Sequence, residues 1–286
     1  MKINPKNIGI MCHELAGNGK GATIGQLALQ FLLEKSIQAT LFVNTWPATL
    51  DDFTEIWVAG GDGTIHQFIN HYPNINIPFA LLGGGTGNDL KNFLYGKQAS
   101  VELFEKLLAQ NILAIDVGNC NGRLYVNSLG IGFDGDVLQN ISSIRMIGGH
   151  LGYLLGVVKS IFTYKEKKFI LRFNNEEKVA HPVILAISNS MYTGGGFVIA
   201  PKSSLQDGLL DLLYTDPLPW WKRLFVLPKV EKGKHLDLPY VYHHHVERVY
   251  IISETPVYYQ IDGELLEATT FDIFIDSRKL QLNCPT

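Results

Sequence analysis

Apolar and polar positions follow two different rhythms along the first 110 residues of the chain. Short, continuous apolar runs are typical of buried strands, and longer segments with one apolar face are typical of helices packed on a sheet. The two kinds of segment alternate, which predicts an α/β domain with a parallel sheet covered by helices. The predicted elements, in chain order, are strand 7–12, helix 23–35, strand 39–43, strand 55–59, helix 64–71, strand 78–82 and helix 100–110.

From about residue 115 the segments become shorter, richer in β-branched and aromatic residues, and separated by turn residues. That pattern predicts a mainly antiparallel β domain that two helices interrupt. The predicted strands are 123–129, 168–173, 183–188, 209–214, 248–253, 257–261 and 271–276, and the predicted helices are 151–162 and 220–230.

The change of pattern sets the expected domain boundaries. Residues 1–115 should form a nucleotide-binding α/β domain, and residues 116–276 should form a β-rich domain that takes the substrate. The last residues, about 277–286, could return to the first domain.

The composition is that of a globular protein, with 46% hydrophobic and 18% charged residues among 286. A formal net charge of −3 argues against nucleic acid as the main partner. Cys12, Cys120 and Cys284 form no CxxC pair, so reduced thiols in a cytoplasmic protein are expected. No signal peptide is expected, and the longest apolar stretch, 151–162, is well short of the ~20 residues that span a bilayer. Membrane contact, if any, should be one-sided, transient and peripheral at the inner face.

Two glycine clusters directly follow predicted strands, GGDGT at 60–64 and GGGTGND at 83–89. Such junctions leave backbone N–H groups unpaired at the positive end of a helix, and glycine lets a phosphate approach them closely. One such cluster could be no more than a tight turn. Two of them, with Asp62 and Asp89 inside, indicate a site for nucleotide phosphates and a metal ion. Neither cluster is a Walker A motif, and neither is a GxGxxG motif followed by a distant acidic residue.

The first glycine cluster and five later motifs, taken in order, resemble the family of diacylglycerol kinases and related bacterial lipid kinases. These motifs are GGDGT (60–64), GTGND (85–89), IDVG (115–118) with NSLGIGFD (127–134), SNSMYTGGGFVIAP (188–201), DGLLD (207–211) and DGE (262–264). The resemblance covers nearly the whole chain. It implies a soluble lipid kinase that uses ATP and Mg²⁺, with its active site in a cleft between two domains. The implied reaction transfers the γ-phosphoryl group of ATP to a lipid hydroxyl, with diacylglycerol as the expected acceptor and phosphatidic acid as the product.

The resemblance also implies roles for individual residues. Asp262 would be the general base that removes the proton of the lipid hydroxyl, with Glu264 close by. Asp62, Asp89 and Asp116 would organise a magnesium–water network. A second, structural magnesium would be bound by Asp207 with backbone carbonyls near Ser204 and Leu209. The ATP contacts would come from Gly17, Thr45, Gly60, Gly61, Asp62, Gly63, Thr64, Gln67, Gly85, Thr86 and Asn88. From its residues alone, Asp262-Gly263 also predicts a type I′ hairpin turn.

Several positions depart from the family pattern. His13-Glu14 stand where the family's loop after the first strand normally begins with Asn-Pro. His66-Gln67 stand where Asn-Glu normally follows GGDGT. Leu90-Lys91-Asn92 replaces a segment with an arginine. A helix normally found before GGDGT has no room here, so the family's threonine contact falls on Thr45. Two alternatives stay open. NAD kinases share GGDGT, although their TPTGSTAY-like segment is missing here, and the departures at His13, Glu14 and Gln67 would suit a non-catalytic nucleotide- or lipid-sensing protein.

Two further features need interpretation. His243-His244-His245 could bind a metal ion, but neighbouring residues of a strand point to opposite faces, which favours a solvated strand edge. Residues 220–235 carry two tryptophans and a local excess of basic residues, a pattern that suits a membrane interface as well as a helix packed on the β domain. A lipid substrate is the expected partner, and a homodimer is compatible with the family.

Overall fold

A computed structural model describes residues 6–142 and 149–285 of the chain, without the side chains of residues 141–142 and 149–155. The helices of this part are α1 (Lys20–Glu34), α2 (Asp62–His71), α3 (Asp89–Tyr95), α4 (Ser100–Leu107), α5 (Phe133–Ser142), α6 (Gly149–Thr163) and α7 (Trp220–Glu231). The strands of the first half are β1 (Asn7–Cys12), β2 (Gln38–Val43), β3 (Glu55–Gly60), β4 (Phe79–Gly84), β5 (Asn111–Ile115), β6 (Gly118–Cys120), β7 (Arg123–Tyr125) and β8 (Ser128–Ile131). The remaining strands are β9 (Phe169–Phe173), β10 (Glu176–Ala180), β11 (Leu185–Ser188), β12 (Tyr192–Thr193), β13 (Phe197–Val198), β14 (Leu210–Thr215), β15 (Val241–Val246), β16 (Arg248–Ile261), β17 (Glu264–Ile275) and β18 (Leu280–Cys284).

The chain divides into two compact units. Unit 1 contains the residues up to 115 together with those from 278 onward, and unit 2 contains residues 116–277. No helix in the described residues is long and apolar enough to cross a bilayer.

Unit 1 is built on a six-stranded sheet with the order β2-β1-β3-β4-β18-β5. All neighbours are parallel except β5, which runs antiparallel to β18. Strands β3 and β4 are buried along their whole length, as expected for parallel strands covered on both faces. The covering helices contribute apolar faces such as Leu103 and Phe104 of α4. The prediction of a mostly parallel α/β domain is confirmed.

A buried polar cluster anchors the last strand of this sheet. The side-chain amide of Asn283 donates to the Glu55 carboxylate at 2.7 Å and to the carbonyl oxygen of Leu107 at 2.8 Å. The carbonyl oxygen of Asn283 accepts from the Tyr95 hydroxyl. Because buried polar groups are costly unless paired, this cluster specifies where β18 enters the sheet.

Unit 2 is built on a ten-stranded sheet whose paired strands, all antiparallel, include the path β15-β14-β11-β8-β16-β17-β6-β7. Its apolar side chains form two clusters. One includes Leu171, Ile187 and Phe271 of the strands. The other includes Val157 of α6 and Val226 of α7, packed with residues such as Leu213 of the sheet. The predicted antiparallel β domain is confirmed.

The two predicted strands 248–253 and 257–261 are wrong as separate elements, because they form the single strand β16. The pairing of β16 with β17 shifts between Ile252 and Val257, so a β-bulge interrupts the ladder there. Pro256, which has no N–H to donate, lies in that irregular stretch. The apolar pattern stops at the bulge while the strand continues.

Candidate active site

Three loops of unit 1 follow the carboxyl ends of neighbouring parallel strands. We call residues 13–19 after β1 loop 1, residues 60–61 at the end of β3 loop 2, and residues 85–88 after β4 loop 3. In open parallel sheets, ligands bind at this edge. Thr45 follows β2 at the same edge and is exposed, and the neighbouring Asn44 side chain accepts from the Glu14 N–H at 3.0 Å.

Glycine is required where the loops touch. A Cβ on Gly61 would lie 2.7 Å from the Cα of Gly85, and a Cβ on Gly85 would lie 2.2 Å from the Cα of Gly61. Gly17, with φ +56°, would place a Cβ 2.0 Å from the carbonyl oxygen of Gly84. Since a Cβ does not fit at any of these contacts, the predicted residues of loops 1, 2 and 3 lie together as one backbone surface.

The helices that leave loops 1 and 2 begin without a side-chain cap. Gly19 precedes α1 and Gly61 precedes α2, and neither helix has a capping side-chain hydrogen bond. The uncapped N–H groups and the helix dipoles make these two ends suitable for an anion. Thr64 is buried in the first turn of α2, close enough to loop 2 that a Cβ on Gly60 would lie 2.2 Å from its hydroxyl oxygen.

Asp62 closes the start of α3. Its two carboxylate oxygens accept from the N–H groups of Asp89 at 3.0 Å and Leu90 at 3.1 Å. This capping contact brings the two predicted magnesium residues of unit 1, Asp62 and Asp89, next to each other. Within loop 3, the Asn88 side chain accepts from the N–H of Gly85 and donates to its carbonyl oxygen, which fixes the loop.

Lys91 is a cation buried beside loop 3, and no role was predicted for it. Its side chain lies 3.3 Å from the position of a Cβ on Gly83, and burial lowers its pKa. It forms no ion pair within the described residues. A buried cation without a counter-ion favours an anionic ligand nearby. The signal in the sequence was a basic residue two positions after GTGND.

The other predicted ATP residues of unit 1 are more peripheral. Thr86 is exposed in loop 3, and Gln67 is exposed on α2 one turn beyond Thr64. His66, the other departure on α2, is buried.

Asp262 holds the turn between β16 and β17 in unit 2. It adopts φ +47° and Gly263 φ +90°, both in the left-handed region that a type I′ hairpin requires. The carboxylate is 4% exposed and accepts from the N–H groups of Val126 at 2.9 Å, Asn127 at 2.9 Å and Ser128 at 3.1 Å. Three backbone donors therefore fix its position.

Glu264, the first residue of β17, is much more accessible than Asp262. It forms an ion pair with Arg123 at 3.4 Å, and both side chains are about half exposed. The hairpin thus brings the two predicted catalytic carboxylates into one turn but gives them different surroundings.

The predicted structural magnesium residues lie on one loop of unit 2. Asp207 is exposed and accepts from the Leu209 N–H at 3.1 Å, and Ser204 Oγ accepts from the Gln206 N–H at 3.2 Å. Asp116, fully buried, binds the same loop: its carboxylate accepts from the Gly208 N–H at 2.8 Å, and its N–H donates to the carbonyl oxygen of Leu205. Carboxylate and carbonyl oxygens are the ligands that Mg²⁺ prefers, so these residues fit the predicted ion chemically.

A polar cluster next to Asp262 was not predicted. The Ser128 hydroxyl donates to Thr193 Oγ1 at 2.8 Å and accepts from the Gln260 side chain at 3.2 Å. The Gln260 side-chain oxygen accepts from the N–H of Gly263 at 3.0 Å. Since the N–H of Ser128 contacts Asp262, the cluster connects Thr193 to that carboxylate. The serine and threonine lie in recognised motifs, but their pairing depends on strand positions that the sequence does not reveal.

Thr193 also lines an apolar cavity of about 60 Å³. The cavity is enclosed by the inner faces of three helices, with Val137 of α5, Ile161 of α6 and Val226 of α7 among its lining residues. Asp134 is one of two ionisable side chains in the wall, and burial raises its pKa to about 6. The cavity is therefore suited to an apolar group that ends in a polar head.

Arg223, the other ionisable residue of the wall, corrects the interpretation of residues 220–235. It is buried and donates to the carbonyl oxygens of Leu218, Ile161 and Tyr164 and to the Glu166 carboxylate. It therefore contributes nothing to a basic outer surface. The segment keeps four lysines against one glutamate, an excess of three basic residues.

The outer faces of α6 and α7 expose aromatic side chains. Phe225 is 72% and Trp220 is 52% exposed, and Trp220 packs on the exposed Phe162 with 5.3 Å between ring centroids. We define the aromatic patch as the exposed residues Val158, Phe162, Trp220, Trp221, Leu224 and Phe225. Several exposed apolar side chains thus lie on the outer faces of these two helices.

Comparison with known proteins gives the family. The family model of the diacylglycerol kinase catalytic domain matches residues 8–120. The model of the YegS C-terminal NAD kinase beta sandwich-like domain matches residues 127–283, more than half of the chain. The chain belongs to the diacylglycerol kinase catalytic-domain family, in its YegS-type two-domain form.

Individual relatives in this kinase family are distant. A Staphylococcus haemolyticus protein provisionally named a lipid kinase is 25% identical over 235 residues, which are 81% of this chain and 76% of the relative. The Bacillus subtilis diacylglycerol kinase is 24% identical over 221 residues, 76% of this chain and 73% of the relative. A Bacillus anthracis protein of known crystal structure, provisionally described as a diacylglycerol kinase, is 20% identical, covers 99% of this chain and 98% of its own, and superposes with a TM-score of 0.79. At that identity the structural likeness shows the fold alone.

Proposed function

We propose that this protein is an ATP- and magnesium-dependent lipid kinase that phosphorylates the hydroxyl group of diacylglycerol. One observation carries the proposal beyond the family: the apolar cavity of unit 2 has Thr193 in its wall, and Thr193 is connected through Ser128 to the Asp262 carboxylate. A hydroxyl at the end of an apolar tail is the chemical group that such an arrangement suits.

The nucleotide part of the proposal rests on unit 1. The uncapped starts of α1 and α2, the glycine contacts of the three loops and the buried Lys91 together favour the phosphates of ATP. Asp62 and Asp89 would hold magnesium there, and the ion would neutralise the phosphate charge during transfer.

The lipid part rests on the cavity. Its wall is mostly apolar with a few polar groups, as in other small-molecule sites. Each methylene that enters it from water would contribute about 0.8 kcal/mol. We propose that it takes part of an acyl chain, which places the glycerol hydroxyl near Thr193 and Ser128.

In the proposed reaction, the lipid hydroxyl oxygen forms a bond to the γ-phosphorus as the bond to the β-phosphate bridging oxygen breaks, and ADP leaves. The hydroxyl proton goes to a carboxylate, and Asp262 is the proposed acceptor. Its two oxygens have about four lone-pair sites, and three of these accept backbone N–H groups. The backbone donors therefore hold the carboxylate in one position.

We further propose that the aromatic patch docks the enzyme on the membrane surface. The helices that carry the patch also line the cavity with their inner faces, so a lipid bound at the patch would be close to the cavity. Lys222, Lys229, Lys232 and Lys234, which lie on or just beyond α7, would add attraction to anionic lipid, about 1 kcal/mol each. Co-sedimentation with anionic vesicles should fall at least several-fold for a Trp221→Ala, Phe225→Ala double variant, and unchanged binding would argue against docking by this face.

The test of function is a radiolabelled-ATP assay with magnesium against diacylglycerol, monoacylglycerol, ceramide, sphingosine-like bases and polyprenols in mixed micelles, with NAD as a separate acceptor. Labelled phosphatidic acid as the main product supports the proposal. Narrowing the cavity with Leu227→Trp should then raise the KM for the lipid and leave the KM for ATP unchanged. Equal effects on both KM values would remove the cavity from the proposal.

One alternative retains a specific observation in its favour. The three donors on Asp262 and the departures at His13, Glu14 and Gln67 would suit a protein that senses a nucleotide or lipid by binding it without catalysing a reaction. Calorimetric ATP binding without labelling of any lipid or of NAD would favour that function, and labelling of NAD alone would favour an NAD kinase.

A further inference from the structure

We propose that Asp211, His243 and His245 form a binding site for a divalent transition-metal ion such as Zn²⁺, separate from the kinase site. The three side chains come from two neighbouring strands, β14 and β15. Their candidate ligand atoms all lie within 4.8 Å of one another. Asp211 ends the DGLLD motif, but the proposed reaction gives no role to any of the three side chains.

Strand register explains why two of the three adjacent histidines converge. Asp211 of β14 pairs directly with His245 of the edge strand β15, and directly paired residues share a face of the sheet. His243 lies two residues from His245 and therefore points to the same face. His244 points to the other face, where its ring stacks on Tyr214. The objection that three consecutive histidines cannot share one ion is correct, but the third ligand comes from the neighbouring strand.

The distances are close to those of a bound ion. Zn²⁺ binds imidazole nitrogen and carboxylate oxygen at about 2.0–2.2 Å, so ligand atoms of a tetrahedral site lie about 3.3 Å apart. His245 Nε2 and Asp211 Oδ1 are 3.3 Å apart. His243 Nε2 is 2.5 Å from the same oxygen, so it would need to move by less than about 1 Å.

Burial supplies the electrostatic reason for a cation. The Asp211 side chain is 4% exposed, and among the described residues its recorded partners are the two histidines. A buried carboxylate is costly without a positive partner, which here is either a protonated histidine or a metal ion.

A second polar group points the same way. Ser188 pairs directly with Asp211 from the other side, on β11, so its side chain shares the face of the sheet. Its hydroxyl is buried and makes no hydrogen bond among the described residues. A metal-bound water would give it a partner. The His245 side chain is 45% exposed, which leaves room for water to complete the coordination.

The donor set selects the kind of ion. Two imidazoles and one carboxylate suit Zn²⁺, Co²⁺ or Ni²⁺, whereas Mg²⁺ prefers oxygen ligands only.

The site lies away from the proposed base. Adjacent strands lie about 4.8 Å apart, and Ser128, which contacts Asp262, is two strands from Asp211 in the same cross-strand row. The site is therefore about 10 Å from the serine beside the proposed base, and its expected effect is to hold the edge strand β15 to β14.

The test uses tag-free, full-length protein that has been treated with a chelator and desalted. We expect calorimetry to give one Zn²⁺ per chain with sub-micromolar affinity and Zn²⁺ to raise the melting temperature, while Mg²⁺ does neither at the same concentration. Replacing a ligand should weaken Zn²⁺ binding by at least about 100-fold, the upper end of what loss of an outer-shell partner costs.

The chain supplies its own matched control. His243→Gln and His245→Gln remove ligands, and His244→Gln changes the residue between them on the opposite face. Loss of binding in the first two and retention in the third supports the site. Equal binding by wild type and His245→Gln, or no wild-type binding below about 100 µM, overturns it and leaves a protonated histidine as the partner of Asp211. Because His245 is half exposed, this variant should fold even if His243→Gln does not.

Discussion

Replacing Asp262 with asparagine is the natural test of the proposed base, and the structure predicts that it will also destabilise unit 2. Asparagine keeps one acceptor oxygen and presents an NH₂ group where the second oxygen was. In the better orientation, that NH₂ group faces the N–H of Val126 across 2.9 Å, donor against donor. The remaining two hydrogen bonds, from Asn127 and Ser128, change from charge-assisted to neutral.

The expected cost follows from these contacts. Hydrogen bonds to a charged group contribute about 1.5–3 kcal/mol and neutral ones about 0.5–1.5 kcal/mol, and a buried donor left unpaired costs about 1–3 kcal/mol. We expect Asp262→Asn to lower the free energy of unfolding by about 2–4 kcal/mol. For a unit of this size, that lowers the melting temperature by about 4–16 °C.

Circular dichroism and calorimetric melts measure this shift, with Glu264→Gln as the control. Glu264 lies in the same turn, but its ion pair with Arg123 is exposed and should contribute no more than about 1 kcal/mol. If the melting temperatures of the two variants agree within about 2 °C, the structural role of the Asp262 contacts is refuted. Turnover must then be compared at a temperature where the asparagine variant is folded, because only a loss of kcat under that condition reports on the base.

Three further substitutions test other contacts. Gly61→Ala should abolish ATP binding in calorimetry, because its Cβ meets loop 3. Burial raises the pKa of Asp134 to about 6. The folded state therefore favours the protonated carboxyl group, and stability is lost as the pH rises through 6. Asp134→Asn should raise the free energy of unfolding by about 1–3 kcal/mol at pH 8, with no gain near pH 4. Arg223→Gln should cost about 1–3 kcal/mol in urea unfolding, because it leaves the half-buried Glu166 without its cation and the carbonyl oxygens of Ile161 and Tyr164 without their donor.

Local patterns were sufficient for the elements whose apolar rhythm is regular. β1 and β3 begin where predicted, because parallel strands buried on both faces read as continuous apolar runs. β15 was missed because this edge strand carries three histidines among its six residues, and α3 was missed because it is short and begins inside a glycine motif.

In the candidate site, too, local patterns identified some residues and missed the contacts between distant parts of the chain. Motif residues such as Gly61 and Gly85 were found because glycine has a local conformational meaning. The capping of α3 by Asp62 and the link from Thr193 to Asp262 depend on contacts across 27 and more residues, which no local pattern encodes. The same is true of Asp211 beside His243, where only the strand register shows the match.

The position of β18 has a consequence for synthesis on the ribosome. Its Asn283 contacts Glu55 across 228 residues of sequence, and the whole of unit 2 lies between them. The first 115 residues leave the ribosome with β4 and β5 still lacking the strand that lies between them. Until the last strand emerges, the nascent sheet has an open, unpaired edge that is available for mispairing or for a chaperone. Unit 2, whose residues are continuous in sequence, has no such wait, so it should be able to fold before the domain that precedes it is complete.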